Sequence, residues 1–183
     1  MRKRVSGCLI ISLIGGATAG LAQTSTKASD GPGSRHPMID ELKAKGLLIP
    51  VPGVATGDLI DSFRQPRGDK RVHNALDIPA PRGTPVLSTD SGRVLKLFTS
   101  KAGGLTIYAI DPTDKYIYYY AHLDHYRPGL AEGMPLARGD TIGYVGTTGN
   151  APPNYPHLHF TIVRALSSRQ WSRGTPINPA KVF

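Results

Sequence analysis

The chain has 183 residues, with 22 Lys and Arg against 13 Asp and Glu, a formal net charge of +9 and one cysteine. That length suits one domain plus tails. A single cysteine excludes a disulfide framework and a closed cysteine metal site. The basic residues are scattered and not interleaved with aromatics, which argues against a nucleic-acid partner.

Met1-Arg2-Lys3-Arg4 precedes an apolar, small-residue run from Cys8 to Ala22. A basic start, a short apolar stretch and small residues before Gln23 predict an export leader over residues 1–22. Cleavage after Ala22 is preferred to Ala19, and the alternative is an uncleaved anchor. The run is short for a transmembrane helix. Val5-Ser6-Gly7-Cys8 lacks the preceding apolar segment that a lipidation site needs. The 22 basic residues less the leader's three leave 19 against 13 acidic ones, a net charge of +6. A basic exported protein suits an anionic surface such as cell wall. Without disulfides such a protein is held by its core, by a metal, or by both.

Residues 23–54 read as a linker. Its first part is rich in Gly, Ser and Pro and includes His36, taken as a bystander. A short helix is predicted over Met38–Leu48, with Ile39, Leu42 and Leu47 apolar and Gly46 near its end. From about residue 55 the pattern changes to short β-like runs. Predicted strands are Gly92–Thr99, Leu105–Asp111, Tyr116–Leu123, Thr141–Val145 and His157–Val163, with a hairpin at Asp111-Pro112-Thr113-Asp114. The tyrosines of Tyr116–Tyr120 read as cross-strand packing. No helical stretch separates these strands, so the domain over 55–183 is predicted to be all-β and mainly antiparallel.

The chemistry concentrates in histidines. In Pro156-His157-Leu158-His159-Phe160 a strand sends His157 and His159 to one face and Leu158 and Phe160 to the other. Two imidazoles so placed suit a divalent metal. His122 sits on another predicted strand. In His73-Asn74-Ala75-Leu76-Asp77, Pro79 and Pro81 make a helix improbable. A straight strand would hold the Cα atoms of His73 and Asp77 about 13 Å apart. A bend near Asn74-Ala75 is therefore predicted, bringing the two together. Two histidines and an aspartate with one open position describe a catalytic zinc site. Two further histidines would then be free to exchange protons. Spacing alone leaves open which of His157 and His159 holds the metal. No His-Glu-x-x-His is present, so a glutamate base is not indicated.

These blocks, together with Tyr120-Ala121-His122-Leu123, Arg138-Gly139-Asp140, Gly146-x-Thr148-Gly149-Asn150 and Ile177-Asn178-Pro179, resemble the lysostaphin- or LytM-type zinc metallopeptidases, peptidase family M23, over roughly residues 57–183. The resemblance implies an antiparallel fold of the duplicated hybrid motif type. It implies one Zn2+ per chain on His73, Asp77 and His159, with His122 and His157 flanking the catalytic water. It also implies a peptide bond in peptidoglycan stem peptides or cross-links as substrate, in a periplasmic or secreted setting. Relatives that have lost ligands are catalytically silent amidase activators. A silent wall-binding module is the alternative, disfavoured because all five site residues are kept. The family's glycine before the aspartate is replaced by Ala75, which is expected to strain the bend by about 1 kcal/mol. His125 reads as a surface loop residue. Arg64 or Arg67 could steady an oxyanion or form a surface ion pair. Trp171 could line a groove or cap the core.

Overall fold

The computed structural model describes residues 36–67 and 71–183. The predicted leader and the linker up to residue 35 fall outside the described residues. Helix α1 spans Pro37–Ala44, starting one residue before the predicted Met38 and ending four residues short of Leu48. Pro37 at its first position suits a fixed φ and an N–H that needs no partner there. Leu42 is fully buried, and Ile39 packs against the same core. Glu41 fastens the helix to the sheet by accepting from the Tyr116 hydroxyl at 2.8 Å.

The strands are β1 Pro66–Arg67, β2 Arg71–Val72, β3 Leu76–Pro79, β4 Pro85–Leu87, β5 Gly92–Ser100, β6 Gly104–Ile110, β7 Tyr116–Tyr126, β8 Pro135–Leu136, β9 Thr141–Val145, β10 His157–Ala165 and β11 Gly174–Ile177. Among the described residues, β1 and β2 form a two-stranded ribbon and the rest a nine-stranded sheet. Its main order is β11-β10-β7-β6-β5-β8, with β3 beside β10 and β9 joining β4 to β7. Every pairing is antiparallel. The five predicted strands are present as β5, β6, β7, β9 and β10. The short strands β1, β2, β3, β4, β8 and β11 were not predicted.

The core follows from period-two alternation. On β10, Leu158, Phe160 and Ile162 are fully buried; on β7, Tyr116, Tyr118 and Tyr120 are buried on the matching face. Phe160 pairs with Tyr120 across the two strands, their rings 5.2 Å apart. Burying a side chain of this size contributes about 1.5–3 kcal/mol. The buried hydroxyls are satisfied: Tyr118 donates to Asp90 at 2.8 Å, and Tyr120 accepts from the Thr89 N–H at 3.0 Å. The aromatic run is packing, as expected. The β6–β7 hairpin closes on the buried Asp111, whose carboxylate accepts from the Lys115 and Tyr116 N–H groups.

The two longest strands change neighbours along their length. β10 pairs with β3 over His157–Phe160 and with β11 over Ile162–Ala165. β7 pairs with β6 as far as Leu123 and with β9 from Leu123 onward. Where these exchanges meet, the other face of the sheet opens into a cleft of roughly 460 Å³.

Candidate metal centre and active site

His159 stands directly across from Asp77 in the β3–β10 register. Cross-strand partners have Cβ atoms about 5 Å apart. This places the Asp77 Oδ1 atom 3.0 Å from His159 Nδ1. His73 joins them through a bend at Ala75 between β2 and β3. Its Nε2 is 3.1 Å from Asp77 Oδ1 and 3.1 Å from His159 Nδ1. The predicted bend is therefore present. Its expected strain is not: Ala75 is absent from the non-glycine residues with positive φ, which are Arg64, Asp114 and His122 among the described residues.

Ser62 builds the bend. Its hydroxyl accepts from the Asp77 N–H at 3.1 Å and reaches the Ala75 carbonyl at 3.4 Å. Its own carbonyl accepts from His73 Nδ1 at 2.8 Å. The His73 backbone is clamped as well, donating to Gln65 O and accepting from Arg64 N. With Nδ1–H committed to Ser62, His73 turns a bare Nε2 lone pair inward. Arg67 of β1 donates to the second Asp77 oxygen, with Nη2 and Oδ2 2.5 Å apart.

Three donor atoms thus form a triangle with sides of 3.0, 3.1 and 3.1 Å. Neutral imidazoles leave at most one proton to share inside it. Tetrahedral zinc with bonds near 2.0–2.1 Å separates its ligands by about 3.3 Å. The donor set, two nitrogens and one carboxylate oxygen, fits such an ion. Burial by itself would raise the Asp77 carboxyl, but the His159 and His73 imidazoles more than offset it and hold the group well below the usual carboxylate range. Burial lowers the His159 imidazole, against the opposing pull of Asp77.

His122 and His157 lie beside this triangle. Their rings are 5.0 Å apart, and the His122 ring is 5.5 Å from that of His159. Each is anchored through Nδ1 on a backbone carbonyl, His122 on Thr148 and His157 on Tyr155, both at 2.8 Å. That leaves both Nε2 lone pairs free, and His157 Nε2 lies 3.8 Å from Asp77 Oδ1. Burial is the largest cause pushing His122 down to about 4; the Thr148 carbonyl opposes it, and the neighbouring imidazoles add to it. His122 is thus neutral at pH 7.

Alternation would put His122 on the core side, beside Tyr120. A bulge reverses this. Leu105 and Ile107 of β6, separated by one residue, pair with Leu123 and Tyr120 of β7, separated by two. His122 takes φ +61 there and donates its N–H to Gly103 O at 2.8 Å. Bulges of this kind re-aim side chains next to active sites. The left-handed backbone of a non-glycine residue is strain of the sort stored at functional positions.

All five predicted site residues therefore meet in one cleft. Reasoning from sequence missed Ser62, the Thr148 carbonyl and the Arg67–Asp77 pair as parts of it. His125 lies on the end of β7, not in a loop, with its ring stacked 4.3 Å from Tyr144. Trp171 neither lines the cleft nor enters the core. It packs 4.7 Å from Tyr108 and 5.2 Å from Phe98 on the sheet surface. Arg64 is exposed, with its guanidinium 5.9 Å from the centre of the Phe63 ring.

Comparison with known proteins gives the family and the fold. The family model described as Peptidase family M23 matches residues 71–179. The L-Ala--D-Glu endopeptidase of Bacillus subtilis is 34% identical over 110 residues, 57% of this chain and 33% of its own length. The peptidoglycan DD-endopeptidase ShyC of Vibrio cholerae is 34% identical over 93 residues, 51% of this chain and 20% of its own. The chain thus spans a third or less of these curated relatives. The catalytic domain of lysostaphin from Staphylococcus simulans superposes with a TM-score of 0.55 at 28% identity, covering 66% of this chain and 86% of that domain.

Proposed function

The chain belongs to peptidase family M23, and from that premise we propose that it is a zinc-dependent endopeptidase hydrolysing peptide bonds of bacterial peptidoglycan. The observation that carries this reading is the triangle of His73 Nε2, Asp77 Oδ1 and His159 Nδ1, flanked by two anchored imidazoles with free Nε2 atoms. The substrate class is supported by relatives named as an L-Ala--D-Glu endopeptidase and a peptidoglycan DD-endopeptidase. It is supported too by the basic balance of the chain, which suits an anionic wall.

His73, Asp77 and His159 would hold the ion. When bound, a zinc ion supplies Lewis acidity, towards a water nucleophile and a scissile carbonyl alike. The chain's own groups move the protons. His122 is neutral, so its Nε2 takes a proton from the attacking water as the new C–O bond forms. The imidazolium so formed returns the proton to the leaving nitrogen as the C–N bond breaks. His157, fixed through Nδ1 on the Tyr155 carbonyl, turns its free Nε2 lone pair to the same place and orients the attacking water beside His122. Anchoring both rings through Nδ1 removes the cost of orienting them at the moment of reaction.

The same reading makes the protein an exported one. Residues 1–22 act as leader, 23–54 as tether and 55–183 as the catalytic unit. Among the described residues no helix is long and apolar enough to cross a membrane. N-terminal sequencing of the exported protein is expected to begin at Gln23.

The test of activity is digestion of purified peptidoglycan, followed by mass spectrometry of the soluble fragments. Fragments are expected with zinc, absent with chelator and restored by added zinc. Wall binding without fragments from zinc-loaded protein would replace the enzyme reading with that of a silent wall-binding or amidase-activating module.

A further inference from the structure

We propose that Arg67 is a positioning residue of the metal centre, clamping the outer oxygen of Asp77 so that the inner oxygen serves as a single-point ligand. The proposal rests on reading His73, Asp77 and His159 as a metal site. The two oxygens of Asp77 have separate tasks. Oδ1 faces His73 Nε2 at 3.1 Å and His159 Nδ1 at 3.0 Å. Oδ2 faces away from that triangle, to Arg67 Nη2 at 2.5 Å. A carboxylate without this restraint could swing to offer both oxygens to an ion. It would then fill the coordination place that the solvent nucleophile needs. It could also turn out of the site altogether.

The side chain suits the task. A guanidinium stays charged at every working pH and presents its donors in a rigid fork. The backbone delivers it to the right place. Arg67 pairs with Arg71 and Pro66 with Val72, so β1 lies against the strand that leads into His73. His73 in turn donates its N–H to Gln65 O. One short ribbon therefore carries both a ligand and the clamp on its neighbour. The pair is also asymmetric: the Asp77 side chain is 11% exposed and that of Arg67 46%. With its cationic partner this exposed, the pair adds little to folding stability. Its effect is expected instead in the metal affinity of the carboxylate it orients. Partners that orient a metal ligand typically change affinity or activity 10–100-fold.

The experiment is a zinc dissociation constant, measured by competition with a chromophoric chelator, on the full chain and on Arg67→Met and Arg67→Lys. Arg67→Met is expected to bind zinc about 10–100-fold more weakly than the parent. Arg67→Lys keeps the charge but loses the fork and is expected to fall between them. Thermal unfolding of the metal-free proteins is expected to coincide, so that lost affinity is not lost fold. Equal zinc affinity in the parent and Arg67→Met overturns the proposal, as does an Arg67→Lys protein weaker than Arg67→Met. A parent chain that binds no zinc fails differently and removes the metal reading itself.

Discussion

Replacing His122 by glycine and by alanine tests the bulge that delivers this imidazole to the cleft. Both variants delete the same ring and its bond to Thr148, so their difference isolates the backbone. In a strand interior, glycine is ordinarily less stable than alanine by about 0.5–1 kcal/mol, because it loses more freedom on folding. At φ +61 the comparison changes sign. A left-handed backbone costs an L-residue roughly 1–2 kcal/mol, and glycine is spared that cost. The two terms leave His122→Gly more stable than His122→Ala by about 0.5–1 kcal/mol, or roughly 1–4 °C in Tm for a chain of this size. Ala121, one residue earlier, does not have a positive φ. Ala121→Gly is expected to destabilise in the ordinary way. Thermal or urea unfolding of the metal-free proteins supplies the comparison. If His122→Gly is the less stable of its pair, as Ala121→Gly is of its own, the strand is regular at His122. The imidazole would then belong to the core face and not to the site.

Chelation is expected to lower Tm by about 5–10 °C relative to protein with zinc at a hundred times its dissociation constant, an excess that stabilises by about 2.7 kcal/mol. His159→Ala is expected to abolish that difference, whereas His122→Ala keeps it while losing turnover. In metal-free protein the His122 imidazole, lowered to about 4 from 6.5, stays neutral while the unfolded chain protonates. Stability is therefore full above pH 6.5 and lost as pH falls towards 4, by about 3 kcal/mol at most; His122→Gln is expected to flatten that slope in urea titrations at each pH. Gly104→Ala places a Cβ at φ +66, 2.2 Å from Thr148 Oγ1 and 2.3 Å from Thr148 C. It is expected to cost at least about 2 kcal/mol and to reduce kcat by shifting the carbonyl that holds His122; unchanged unfolding and turnover would contradict that contact.

How far the site could be read from sequence follows from how far each residue obeys a simple period. His157 and His159 obey the two-residue period of a strand, so their common face was legible, and Asp77 shares it across the β3–β10 pair. The prolines after Asp77 excluded a helix, and distance then required the bend at Ala75. The strain expected of Ala75 did not appear, because the hydroxyl and carbonyl of Ser62 hold the bend without a positive φ. His122 could be named only by its motif. Its period points to the wrong face, and a bulge depends on the pairing of two strands, which no local pattern carries. The two- to four-residue strands β1, β2, β3, β4, β8 and β11 exist through long-range partners, so they left no run long enough to show alternation. Sequence offered Arg67 only for an oxyanion or a surface ion pair, since its partner Asp77 is brought to it only by the fold.

The most direct measurement is zinc anomalous diffraction from crystals of the zinc-loaded protein. A single peak within about 2.0–2.2 Å of His73 Nε2, Asp77 Oδ1 and His159 Nδ1, with His122 and His157 outside bonding distance, is the expected result. An ion held by His157 or His122 in place of His159, or a loaded protein with the His73–Asp77–His159 triangle empty, would contradict the account.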